Sequence, residues 1–335
     1  MAEENPLVEK YVSFFLKEGF WVGEKPDYSK FGSEYWLTPE YLNLMEERVV
    51  ELSEDDKTVI VCRDGMVMYS DSGLLAQEQD PTMFYSRVEH YTAVLNALLM
   101  TMVSCITQRT GILYHDFFEI THLDVISVSK WKNGTSASGI PNKSATNVQY
   151  SKRWLSSIPA GYIDSIDMFV DSPPRPVVSV DIIEGAINVF FALVREEQNM
   201  ILASRTNKAL SEFSTASFSD AVIVAWTQIE VFLYEKLQIY AWAHPGRFDS
   251  VRRNKLKKEA TASEVIEILE AAGELSASEY KDINQVRKVR NHIIHEGKVA
   301  KMEDAINALK LLEKIINEKT SQSIQIPMGI RMSTF

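Results

Sequence analysis

The sequence predicts an α+β protein in two parts. A mixed N-terminal domain over residues 1–175 is followed by an all-α helical bundle over 176–320, with its core at 215–319 and a tail at 321–335. Three observations predict this. Before residue 180, apolar residues come in short β-branched clusters as well as at helical spacing. At 171–176 the segment DSPPRP puts Pro173, Pro174 and Pro176 within four positions, which neither a helix interior nor a central strand accepts, so a boundary is expected there. Beyond it, helical periodicity dominates between recurring cap signals. A length of 335 residues suits two domains, and 45% hydrophobic with 24% charged residues is the composition of a globular chain, not of a mainly disordered or fibrous one.

The elements follow in order. Residues 58–69, TVIVCRDGMVMY, hold two apolar runs around Asp64 and Gly65, and Asp-Gly between such runs predicts a hairpin whose two central residues both take positive φ. Residues 91–108 have helical spacing; the apolar window 93–106 is broken by Asn96, Thr101 and Ser104 and is shorter than the ~20 residues of a membrane span, so a buried helix and no membrane association are expected. Short strands are predicted at 124–128 and 176–180. The segment 132–147, rich in Gly, Ser, Thr, Asn and Pro and carrying Lys132 and Lys143, is predicted to be a mobile surface loop. One helix is expected over 182–202 and another over 219–242, capped by Ser219 or Asp220 and stopped at His244, Pro245 and Gly246. A basic loop follows. A helix over 262–272 starts after Thr261 or Ser263 and ends at Gly273. Ser276 and Glu279 have capping-box spacing and open a helix to about residue 295, stopped by Gly297. The last helix spans 301–319. The aromatics Trp226, Phe232, Tyr234, Tyr240 and Trp242 are expected in the core, and composition assigns nothing to the tail.

The first twenty residues lack a basic stretch leading into an apolar core, so a cytoplasmic location is expected. Cys62 and Cys105 have no Cys-x-x-Cys spacing and build neither a disulfide framework nor a zinc knuckle, which suits a reducing compartment. No Asp, Glu and His cluster has metal-ligand spacing and no Gly-rich phosphate loop is present, so neither a metal nor another cofactor is expected. The net charge of −11 argues against attraction of the whole surface to nucleic acid, but the charge is unevenly spread. Residues 215–318 are nearly neutral, with 15 basic against 16 acidic side chains, and within them Arg247, Arg252, Arg253, Lys255, Lys257 and Lys258 make a local anion-attracting patch able to grip RNA phosphates.

Of the six histidines only His292 and His295 share a short segment with other polar groups, VRKVRNHIIHEG. On an ideal helix, with Arg290 at 0°, Asn291, His295 and His292 fall near 100°, 140° and 200°, while Val286, Val289 and Ile293 fall between about 260° and 320°. The apolar set is expected to be buried and the polar set reachable, with Arg290 at its border. Such a set suits phosphodiester chemistry without metal: a histidine moves protons near neutral pH and an arginine holds phosphate with two hydrogen bonds.

Arg290, Asn291 and His295, an Arg with a polar neighbour and a His four positions further on, resemble the signature of HEPN domains, four-helix bundles many of which are metal-independent ribonucleases. An Arg followed by four to six residues and a His also occurs at Arg287 to His292 and at Arg109 to His115, but only Arg290 combines this with an adjacent Asn, a late position in a helix and a bundle. The resemblance implies an active site of Arg290, Asn291 and His295, composite across a homodimer, with Glu230 of the first core helix as a further candidate; His292, on the same helix as the motif, is either a second active-site group or a bystander. It implies an endoribonuclease acting by 2'-hydroxyl attack, with a regulatory N-terminal domain that senses a trigger or partner, in a toxin, abortive-infection or antiviral defence role. The other reading is a non-catalytic HEPN-like module for dimerisation or for nucleotide or RNA binding.

Overall fold

The computed structural model describes residues 7–16, 20–25, 27, 39–76, 84–111, 117–131, 134–138 and 176–328. Its contacts divide the chain into two compact units, one of residues 1–112 and 119–195, the other of 113–118 and 196–335. The division falls after Arg195 and not at the Pro-rich segment, most of which lies outside the described residues.

The N-terminal unit contains, in order, β1 (Leu7–Phe15), β2 (Trp21–Val22), α1 (Pro39–Met45), β3 (Arg48–Glu54), β4 (Lys57–Cys62), β5 (Met66–Ser70), α2 (Ser72–Ala76), α3 (Phe84–Thr110), β6 (Ile126–Trp131), β7 (Gly134–Ser138), β8 (Val177–Val178) and α4 (Val180–Val194). Six strands form one antiparallel sheet in the order β3-β4-β5-β1-β6-β7, and β2 pairs with β8 in parallel. On one face Tyr69 meets Phe190 of α4 edge-on at 6.0 Å and Tyr91 of α3 at 6.4 Å. Residues of opposite parity, among them Ile60, Met66, Met68 and Ile126, form a second buried cluster, so the central strands are buried on both sides.

The β4–β5 hairpin forms as the pattern predicts, but with a different turn. Val61 pairs with Val67, and the Gly65 N–H donates to the Cys62 carbonyl at 3.0 Å. Only Gly65 has positive φ, +84°; Asp64 stays in ordinary space and accepts from the Met66 N–H at 3.1 Å. This is a three-residue loop with a left-handed glycine, and not the two-residue turn expected. The predicted 132–147 loop is also corrected in part, because 134–138 pair with β6 as an edge strand; the rest of that segment, Lys132 and Lys143 included, lies outside the described residues. An edge strand needs only one ladder of hydrogen bonds, so a run of Gly, Ser, Thr and Ala suffices.

Within α3, residues 87–110 are long and apolar enough to cross a membrane by length and composition, and 72% of the apolar window is buried inside the protein. Its polar interruptions are satisfied locally. Asn96 donates to the Ile120 carbonyl and accepts from the Ile120 N–H, at 2.8 and 2.9 Å, and Thr101 donates to the Leu98 carbonyl at 2.9 Å.

The single helix expected over 182–202 is two. Glu196 is extended, and α5 begins at Glu197. The apolar stripe of α4 ends at Val194, three charged residues follow, and buried positions resume at Asn199 and Met200. The C-terminal unit then runs α5 (Glu197–Ser214), α6 (Phe218–Ala243), α7 (Ser250–Glu259), α8 (Ala262–Ala271), α9 (Ala277–Glu296) and α10 (Met302–Thr320). Long α6 is the axis, packed against each of the others through Val222, Trp226, Ile229, Leu233 and Leu237. The Ala300 N–H donates to Ser219 Oγ at 2.9 Å, placing the α9–α10 turn beside the start of α6; Lys236 pairs with Glu318 at 2.9 Å, so α10 runs alongside α6 in the same direction. A 2.7 Å Lys314–Glu279 pair ties late α10 to early α9, which therefore runs back against both.

The tail closes this unit. Asn317 brackets Ile324, donating to its carbonyl at 3.0 Å and accepting from its N–H at 2.8 Å, and Glu313 accepts from the Ile326 N–H at 2.7 Å. Ile324 and Ile326 are buried. Residues 321–328 are thus a strap returning along α10.

Candidate functional site

Helix α9 is fixed at both ends by local chemistry. Ser276 and Glu279 form the capping box, the Ser276 N–H donating to Glu279 at 2.7 Å and the Glu279 N–H to Ser276 Oγ at 3.3 Å. At the other end Gly297 takes φ +65°, and the Gly297 and Lys298 N–H groups donate to the His292 carbonyl. Ile283 and Val286 are buried against the bundle. Val289 and Ile293, also expected inside, are half-buried: the last turns of α9 bury no side chain fully.

Those turns carry the predicted site. Arg290 Nη1 donates to Asn291 Oδ1 at 3.1 Å, which holds the guanidinium at the border of the exposed face. His295 lies one turn beyond Asn291 on that face and is exposed, as is His292. The ring of His292 is 3.6 Å from Glu296, whose other oxygen takes a 2.6 Å ion pair from Lys298. Lys298, and after it the neighbouring imidazoles, hold the Glu296 carboxyl below its usual range. Glu296 and Lys298 were not among the candidates from sequence. The i,i+4 spacing of His292 and Glu296 was the available signal.

Glu230 is not brought to this group. It sits on α6 facing Tyr234, whose phenol is raised by burial and then by the charges of Glu230 and Glu264. Among the described residues no hydrogen bond or ion pair joins it to Arg290, Asn291 or His295. The reason is axial: Glu230 lies about three turns into α6, whereas the end of α9 is pinned at the first turn.

The basic segment is also placed elsewhere, and it is not a loop. Residues 250–259 are the helix α7, capped by Asp249, which accepts from the Arg252 N–H at 2.7 Å. Its charges divide. Arg247 donates to the Tyr240 hydroxyl at 3.0 Å, Arg252 to the Arg247 carbonyl at 3.1 Å, Lys255 reaches Glu259 at 4.0 Å and Arg253 lies over the ring of Trp242; Lys257 and Lys258 are exposed. Residues Ser219 and Tyr240 mark the two ends of α6, about 30 Å apart along its axis, so the patch and the Arg290 group occupy opposite ends of one long helix. Of the aromatics expected inside, Trp226, Phe232 and Tyr240 are buried and Tyr234 is half-buried, but Trp242 is on the surface.

Among the described residues no group of three or more His, Cys, Asp or Glu side chains gathers to hold a metal ion. Comparison with protein-family models, curated proteins and solved structures finds no match for this chain.

Proposed function

We propose that the C-terminal unit is a metal-independent RNA endonuclease of HEPN type, acting as a homodimer. The observation that carries this reading is the Arg290–Asn291 hydrogen bond with His295 one turn away, on the exposed face of a helix capped at both ends. In the reaction, His295 removes the proton of the ribose 2'-hydroxyl, the 2'-oxygen attacks phosphorus, and the 5'-oxygen leaves with a proton. Arg290 neutralises the charge that grows on the phosphoryl oxygens. The products are a 2',3'-cyclic phosphate and a 5'-hydroxyl.

The reaction needs a base and an acid. His292, paired with Glu296, is one source of the second proton group; a twofold pairing that brings a second copy of this face across the first is the other. Exposed apolar side chains beside the motif, Ile294, Val299 and Met302, support such a pairing. In this reading the N-terminal unit restrains or triggers the nuclease in a cytoplasmic toxin or antiviral defence role.

The test is RNA cleavage in EDTA by purified wild-type protein and His295→Ala. Loss of cleavage by more than about a hundredfold, with RNA binding retained, is expected for a proton-transfer group. Cleavage by the variant at the wild-type rate rejects the assignment and leaves a binding module.

A further inference from the structure

Two grooves flank α7, and they differ in charge. The wider, against α8, sets Arg247, Arg252 and Lys255 opposite Glu264 and Glu267 of α8, with Glu259 at the end of α7 itself. The narrower, about 120 Å³ against α6, is lined by Gln238, Trp242, Arg253, Asn254 and Lys257 over an apolar floor that includes Leu237, with no acidic side chain among its lining residues. On its rim the Arg253 guanidinium lies 4.1 Å from the centre of the Trp242 ring. Trp242 nevertheless stays 67% exposed, and Ile239, one turn earlier on the same strip of α6, is 71% exposed. Helix α7 itself buries none of its ten residues. A helix that buries no side chain fully, yet is capped and stacked so that its cations stand beside an open indole, leaves that surface available to a ligand.

We propose that this α6–α7 groove binds single-stranded nucleic acid, with a base stacked on the open face of Trp242 and backbone phosphates met by Arg253 and Lys257 in the groove and by the exposed Lys258 beyond its lining. Arg253, already stacked on the ring, holds it in place and adds positive charge beside it. Stacking accepts any base because every base has a π-face, and phosphate contacts carry no sequence information, so the surface binds without sequence choice. A duplex hides its base faces in the stack and cannot use Trp242. Single strands are therefore preferred over duplex. The inference shares with the proposed function only its nucleic-acid ligand: the groove lies at the far end of α6 from Arg290 and does not depend on cleavage.

The experiment uses a ligand that 2'-hydroxyl chemistry cannot cut. The full-length protein is titrated into a fluorescein-labelled oligothymidylate of about a dozen nucleotides, at low salt in EDTA, and binding is read by anisotropy. Wild type is expected to bind it roughly tenfold or more tightly than a duplex of equal length. Trp242→Ala is expected to lose roughly tenfold or more, while Trp242→Phe, which keeps a stacking face, keeps most of the affinity. Lys257→Ala with Lys258→Ala flattens the salt dependence by about one to two phosphate contacts. Wild-type affinity in Trp242→Ala, equal affinity for duplex, or no binding by the wild type overturns the proposal; the last result points to a protein partner on the Ile239 and Trp242 surface. Because the probe has no 2'-hydroxyl, a failed cleavage assay leaves this result standing, and a failed titration here leaves the cleavage result standing.

Discussion

Glu279 shows how one side chain serves both the start of α9 and its packing. Burial alone raises its carboxyl, but the hydrogen bonds from Lys314 and from the Ser276 hydroxyl and backbone outweigh that and bring it from 4.5 down to about 2. Its folded-state value is depressed, so it adds stability that is present above the unfolded value of 4.5 and is lost as pH falls towards about 2. Its side chain is 24% exposed, which leaves part of that interaction screened. Glu279→Gln is expected to cost about 1–2 kcal/mol at pH 7, and much less near pH 2, where the wild type has also lost the charge. Denaturant titrations of both proteins across that range measure it; a cost that does not change with pH contradicts the ion pair. This residue was legible in the sequence because a capping box is a local pattern of two residues at fixed spacing. Arg290, Asn291 and His295 were legible for the same reason, since they share one helix. Glu230 was placed beside them by resemblance, and where two helices align along their axes is not a local property.

At the scale of elements, caps and glycines fixed where helices end, and the β4–β5 hairpin turns on Gly65. A Cβ there would sit 2.8 Å from the Phe20 carbonyl at φ +84°, a backbone contact that cannot yield cheaply. Gly297 has φ +65° but nothing within 4 Å. Gly65→Ala is therefore expected to destabilise the N-terminal unit by about 2–3 kcal/mol, and Gly297→Ala to cost only about 1 kcal/mol in the C-terminal unit, both read from unfolding midpoints. Equal costs would show that the Phe20 contact is not as close as described. Elements with an apolar stripe were legible; α7 was not, because a helix that buries nothing has no periodicity to read. Strand β7 was hidden in the same way by turn-forming composition, and the break at Glu196 by the run Met200, Ile201, Leu202 and Ala203, which is apolar on every side and so masks the change of buried face between α4 and α5.

At the scale of the molecule, the division into two units sets what can be taken apart. Helix α5 packs along α6, and Ile324 and Ile326 of the tail are buried against the bundle, so residues 215–319 alone would strip two layers from it. A fragment of residues 196–335 is expected to unfold in one cooperative thermal transition and 215–319 to show a broad one or none; equal cooperativity would show that α5 and the strap are dispensable. That the second half is helical was legible from its periodicity, whereas the boundary was not, because α4 has the apolar stripe of a bundle helix and spends it on the N-terminal sheet and α3. The central claim, that the end of α9 cleaves RNA by 2'-hydroxyl attack, is tested most directly by the ends it leaves. Wild-type protein and His295→Ala are incubated with mixed RNA in EDTA and the product termini determined. The account predicts 2',3'-cyclic phosphate and 5'-hydroxyl ends from the wild type alone; 3'-hydroxyl ends, or the same products from both proteins, would contradict it.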